Sequence, residues 1–182
     1  MKDINEIIKE VSNSPMRSSI ITANALIESF LEKLIVKYFI ILRGEERKEI
    51  FKRGCLSTLS AKNKIAYALG LISKELYKDI NSYREIRNKC AHEYVLDDRI
   101  MQFITDKAKQ FNLLKSCFSI SENEKIKAYT TIEFAIILRA LKKRINNIKR
   151  CEECKYEAHD DYLKFDNDEC HINDIINNDF HE

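Results

Sequence analysis

Apolar residues recur along this chain at alternating steps of three and four, the spacing of one helix face. Ile4, Ile7, Ile8 and Val11 form a short amphipathic opening helix that the Asn13-Ser14-Pro15 break ends. From about residue 17 to 43, Ile20, Ala23, Ile27, Phe30, Leu34, Tyr38 and Ile41 make one stripe of a long helix, and Gly44 stands where its C-cap belongs. Residues 45–53 give a charged helical turn or two before Gly54. Ser57 or Ser60 caps the next helix, which ends near Gly70, and Ser73 opens another with Leu76, Ile80 and Tyr83 on one face. Asp97 or Asp98 starts a helix carrying Ile100, Phe103, Ile104, Phe111, Leu114 and Phe118. Ser121 and Glu124 form a capping box for a last long helix with Phe134, Ile137, Leu138, Leu141, Ile145 and Ile148. No stretch alternates with period two for long enough to compete. The predicted fold is all-α, a single bundle of six or seven helices.

Composition narrows the function classes. The 182 residues suit one domain, and three Gly with one Pro cannot supply the glycine loops of a dinucleotide site or a P-loop. The longest apolar stretch, Ile35 to Leu42, is interrupted by Lys37 and falls far short of the ~20 residues that cross a bilayer. The first residues are polar and charged where a signal peptide needs an apolar core, so a cytoplasmic protein without a membrane partner is expected. No cofactor is implied.

Charge is unevenly placed. Residues 151–182 hold eleven acids and two bases, so a chain whose formal total is +2 carries +11 on residues 1–150. A basic body attracts polyanions, and an acidic tail screens that attraction or competes for it. The plain alternative is a solvated surface with a solubilising tail. The organisation expected is a helical domain over residues 1–150 and an acidic C-terminal tail over residues 151–182.

The most informative segment runs from Gly54 to His92. It contains Leu56-Ser-Thr-Leu-Ser-Ala61, Ala66-Tyr-Ala-Leu-Gly-Leu-Ile72 and Ile86-Arg-Asn-Lys-Cys-Ala-His92. In this succession it resembles the mannitol operon repressor family, and the order and length of the surrounding helices extend the resemblance over residues 16–149. Leu59 departs from the pattern, which often has an aromatic there. The resemblance implies a compact helical protein associated with negative control of gene expression, without a recognisable helix-turn-helix.

The same residues bear a second resemblance. Arg87-Asn88-Lys89-Cys90-Ala91-His92 has the form of the active motif of HEPN-domain ribonucleases, helical dimers that cleave RNA without a metal through the ribose 2′-hydroxyl. That chemistry suits a histidine that moves a proton, an Arg fork that holds the phosphate, and an Asn that orients either. The candidate catalytic residues are therefore Arg87, Asn88 and His92, and the candidate nucleic-acid contacts are Arg84 and Arg87. At about 100° per residue, Asn88 and His92 lie about 40° apart on a helix, whereas Arg87 and His92 lie about 140° apart. The motif converges only where the helix ends near Ala91 and turns His92 back, or where two copies meet across a two-fold axis. A purely structural reading has the three side chains satisfying helix ends or acids such as Asp79, Glu85 and Asp97.

Six cysteines without a secretion signal read as reduced thiols or metal ligands. Cys151, Cys154, Cys170 and His171, with His159 and His181 in reserve, are a weak zinc set. The Cys-x2-Cys knuckle fits, but an adjacent Cys-His pair replaces the usual spaced pair. Cys55, Cys90 and Cys117 are expected to be small core residues.

Two functions thus stand side by side: a regulator that binds a partner protein or nucleic acid, resting on residues 16–149, and a metal-independent endoribonuclease such as a toxin or defence effector, resting on six residues. A homodimer is expected, because the second helix adds Leu26, Ile35, Val36, Phe39 and Ile40 to its main stripe and so offers more apolar surface than one small bundle needs. The charge asymmetry has its own test. Protein lacking residues 151–182 is predicted to keep its helical circular dichroism and to bind nucleic acid more tightly at low salt, with the difference fading as salt rises. Equal affinity of the two forms at low salt ends the screening idea.

Overall fold

The computed structural model describes residues 3–39, 41–93, 95–115 and 126–151; one compact unit runs to Cys151. Within these residues the elements are α1 (Ile4–Asn13), α2 (Met16–Tyr38), α3 (Gly44–Lys48) continuing into a π-helical turn (Glu49–Arg53), α4 (Leu59–Ala68), α5 (Lys74–His92), α6 (Asp98–Ala108), the single turn α7 (Asn112–Lys115) and α8 (Ile126–Asn147). No strand occurs among the described residues, and the fold is all-α as the periodicity predicts.

Helix α2 is the hub, with α1, α4, α5 and α8 all packed on it. Ile20, Ala23, Ile27, Phe30 and Leu34 form its predicted stripe, and Leu31 and Ile35 add a second; all seven are buried. Each such aliphatic or aromatic side chain contributes about 1.5–3 kcal/mol by leaving water. Leu26, Val36 and Phe39 are partly buried against the same core. Of the five residues whose surplus suggested a dimer, four meet this core, and Ile40 lies outside the described residues.

Four boundaries differ from the sequence reading, two of them for a tertiary reason. Helix α2 stops at Tyr38 instead of running to residue 43, and Ile41 is left 62% exposed. The chain turns so that the Phe39 ring meets Phe51 of the π turn at 6.3 Å. Gly44 does not cap α2 but opens α3 with φ +46°, a left-handed conformation that suits glycine. At α4 the cap is Thr58, whose hydroxyl accepts from the Ala61 amide at 3.2 Å, instead of either neighbouring serine. The helix expected from Asp97 to Phe118 breaks after Ala108, because buried Asp79 of α5 accepts from the Asn112 amide at 2.8 Å, its side-chain amide at 2.7 Å and the Leu113 amide at 2.7 Å. That carboxylate caps α7 from another helix. Phe111 is thereby buried in a stack on Tyr83. The capping box at Ser121 and Glu124, together with Phe118 and Cys117, lies outside the described residues.

The starts of α5 and α6 and the end of α4 match expectation. Ser73 accepts from Leu76 and Asp97 from Ile100. After α4 the amides of Gly70 and Leu71 return to the carbonyls of Tyr67 and Ala66, a Schellman closure that needs the φ of +67° at Gly70.

One polar cluster fixes α3 and α4 to α2. Lys62, 2% exposed, pairs with Glu28 at 2.7 Å and Glu32 at 3.3 Å, and Glu32 also receives Arg47 and Lys52. Burial works against ionisation of Glu32, but hydrogen bonds from Arg47 and Lys62 and the charges of Lys62 and Lys52 outweigh it and hold the carboxyl below its ordinary value. Its stabilisation is therefore present at neutral pH and lost as acid protonates the group.

The most consequential single polar contact is that of Asp79. Asp79→Ala strands two backbone amides and one side-chain amide in a largely buried setting, and we expect it to cost about 3 kcal/mol, read as a fall in the urea midpoint of the helical circular dichroism. A loss below about 0.5 kcal/mol would show that α7 needs no cap from α5.

Candidate functional site

Helix α5 positions every residue of the motif. Leu76, Ile80, Tyr83, Ile86 and Cys90 repeat at steps of three and four and are all buried, which orients the helix against α2. Arg84, Arg87 and Asn88, at i, i+3 and i+4, share the face beside that buried stripe and are half-buried. Arg87 flanks the core face instead of continuing it; Ile86 takes the place in the stripe.

The arginines are unusual in what they lack. Arg87 donates from Nη1 to the Asn88 Oδ1 at 3.1 Å. The Nε groups of both Arg84 and Arg87 are buried without a hydrogen-bond partner, and neither guanidinium has a carboxylate among the described residues. The acids that the structural reading of the sequence assigns to them are engaged elsewhere: Asp79 with Asn112 and Leu113, Glu85 with Lys107 at 2.5 Å, and Asp97 with Ile100 and Arg99. A bond from Ile100 outweighs a little desolvation and, with Arg99, holds the Asp97 carboxyl below its usual range. Two like charges one turn apart also repel by a few tenths of a kcal/mol. The arrangement leaves two half-buried guanidinium groups with hydrogen-bonding capacity that no carboxylate within 4 Å among the described residues takes up.

The helix is regular through His92, and Glu93 leaves it in an extended conformation. His92 is exposed, while its neighbour Lys89 pairs with Glu93 at 2.9 Å. The helix does not turn His92 back, so within one chain Arg87 and His92 keep their separation of about 140°. Asn88 is held by Arg87, not by the imidazole.

The groups beneath the arginines are not available for acid–base work. Burial pushes the Tyr83 phenol far above its ordinary value, helped by the neighbouring Cys90 and Glu133 charges. Burial also pushes the Cys90 thiol up, against the pull of Arg17. Cys90 is the core residue its pattern implied, whereas Cys55 is exposed and not part of the core. Leu59, at the position that departs from the family pattern, is buried at the start of α4.

Of the zinc set, Cys151 is exposed, and Cys154, Cys170 and His171, with His159 and His181, lie outside the described residues. Among the described residues no three His, Cys, Asp or Glu side chains are placed to hold a metal ion, and no helix is long and apolar enough to cross a membrane.

The sequence reading missed a second charged surface. From Phe134 to Cys151 the chain has no acid, and six bases fall there. Counting acids in a sliding window would have found it.

A family model described as MtlR, mannitol repressor, matches residues 2–151. The chain belongs to that family. The match takes in the opening helix α1 as well as the stretch from residue 16 to 149 that carries the motifs. A chain in the X-ray structure of the MtlR–HPr complex from Escherichia coli has the same fold, with a TM-score of 0.54 and 19% identity over 79% of this chain and 96% of that one. No curated protein matches the sequence.

The geometry of α5 yields a test of the nuclease motif. RNA incubated with the purified protein in EDTA is expected to stay intact, and His92→Ala to shift stability by less than about 0.5 kcal/mol, since an exposed imidazole contributes little packing. Cleavage to 2′,3′-cyclic phosphate ends, abolished by His92→Ala, would show instead that two copies complete the site.

Proposed function

We propose that this protein is a cytosolic regulator, a negative regulator of gene expression of the mannitol-repressor kind, that acts by binding a partner protein. The observation that carries the reading is the pair of uncompensated guanidinium groups on α5. A half-buried arginine without a carboxylate is costly unless a ligand completes it, and an arginine fork is suited to a carboxylate or phosphate on a partner. The absence of any convergence between Arg87 and His92 in one chain favours binding over catalysis. The similar fold belongs to a complex with HPr, a protein partner, which supports the same class of action.

Isothermal titration of the full-length protein with HPr from the same organism tests it. Saturable binding is expected, weakened at least tenfold in an Arg84→Ala/Arg87→Ala double variant whose circular dichroism is unchanged. Removal of two interfacial charge-assisted contacts accounts for a loss of that size. Absence of heat with the wild-type protein, or equal affinity of the double variant, would overturn the reading.

A further inference from the structure

The last helix carries a surface that the partner-binding reading does not use. Arg139, Lys142, Lys143, Arg144, Lys149 and Arg150 lie in the acid-free run from Phe134 to Cys151. None of the six forms an ion pair among the described residues, although cations on α3, α4, α5 and the π turn find carboxylates within 4 Å. Arg139, Lys142, Lys143 and Asn146 fall at i, i+3, i+4 and i+7, one stripe of α8. With Asn147 they line an open depression of about 290 Å³. The opposite face, with Phe134, Ile137, Leu138 and Leu141, is buried in the bundle.

Helix electrostatics do not account for this stripe. Cations stabilise the last turn of a helix, and the effect dies away within that turn. The role is already filled: Lys37 donates to the Ile145 carbonyl at 2.5 Å, and only Arg144 of the helical bases lies in the last turn. Arg144 is itself spent, donating from Nε to Leu71 O at 2.7 Å and from Nη2 to Gly70 O at 3.1 Å. Arg139 gives one nitrogen to Asn5. Lys142 and Lys143 are left with no partner among the described residues.

We propose that this face of α8 is a second binding site, one that takes the phosphodiester backbone of a nucleic acid without reading its sequence. Among the described residues no aliphatic or aromatic side chain lines the depression, so they supply neither the apolar centre of a protein interface, from which lysine is depleted, nor a ring on which to stack a base. Lys, Arg and Asn are side chains that bond phosphate oxygens. From Arg139 to Asn146 the stripe spans about 10 Å, the length of about three successive phosphates on one strand of B-form DNA.

Fluorescence anisotropy with the full-length protein and labelled 20-mers tests the site. The probes are single-stranded RNA, single-stranded DNA and duplex DNA, each of two unrelated sequences, between 50 and 200 mM NaCl. Three neutralised phosphates give an expected slope of log affinity on log salt of about −2 for single strands and about −3 for duplex. Lys142→Glu/Lys143→Glu is expected to weaken binding at least tenfold at 50 mM salt. Lys64→Glu/Lys109→Glu, which makes the same change in net charge at exposed positions on α4 and after α6, is expected to weaken it less than twofold. A preference among the three probe types names the source and leaves the proposal standing. Equal losses in the two double variants, dependence on base sequence, or no binding at 50 mM would overturn it. Competition by polyglutamate as effective as by nucleic acid would assign the surface to an acidic protein instead.

Discussion

Everything in this domain depends on burying α2 from four sides. A 23-residue helix with apolar side chains on two adjoining stripes cannot stand against a single neighbour. It must be enclosed, and α1, α4, α5 and α8 do so. The remaining contacts follow from that demand. The Lys62 cluster joins α4 and α3 to the hub by charge, and the Asp79 carboxylate sets where the chain re-enters a helix after α6. Tyr83, Ile86 and Cys90 seat α5 in the core, and the arginines lie half-buried beside them.

How much of this was legible in sequence depends on the range of the interaction. Helix identity was legible, since the apolar period and local caps such as Ser73 and Asp97 act over three or four residues. The α4 cap at Thr58 is a local choice among neighbouring hydroxyls, but the ends of α2 and α6 turn on partners far along the chain. Nothing within residues 17–43 announces that Phe39 will leave the helix to meet Phe51, and nothing near residue 112 announces a carboxylate from residue 79. The motif residues were found by resemblance, but their environment was not. That Arg84 and Arg87 would lack acids, while Asp79 and Glu85 pair elsewhere, is decided by how α6 and α7 lie on α5.

Two cationic surfaces of different character emerge on one fold. On α5 the guanidinium groups are half-buried, few and set beside packed side chains, so their positions are fixed by the core. On α8 the charges are numerous, mostly exposed and spaced by the helix alone, so their field is screened by salt. Membership of the mannitol repressor family accounts for the helical body over residues 2–151. It does not distinguish these two surfaces, whose difference lies in burial.

The stack of Tyr83 on Phe111 has a spectroscopic consequence. The chain has eight tyrosines and no tryptophan, so its near-ultraviolet absorption is dominated by phenol rings. Exposed phenols turn to tyrosinate as alkali is added, at values near 10. Tyr83, sealed from water and pushed far upward, cannot follow them while the helices hold. Its tyrosinate band therefore appears only when α5 separates from its neighbours, and the last increment of alkaline absorbance is an intrinsic optical signal of the opening of the core.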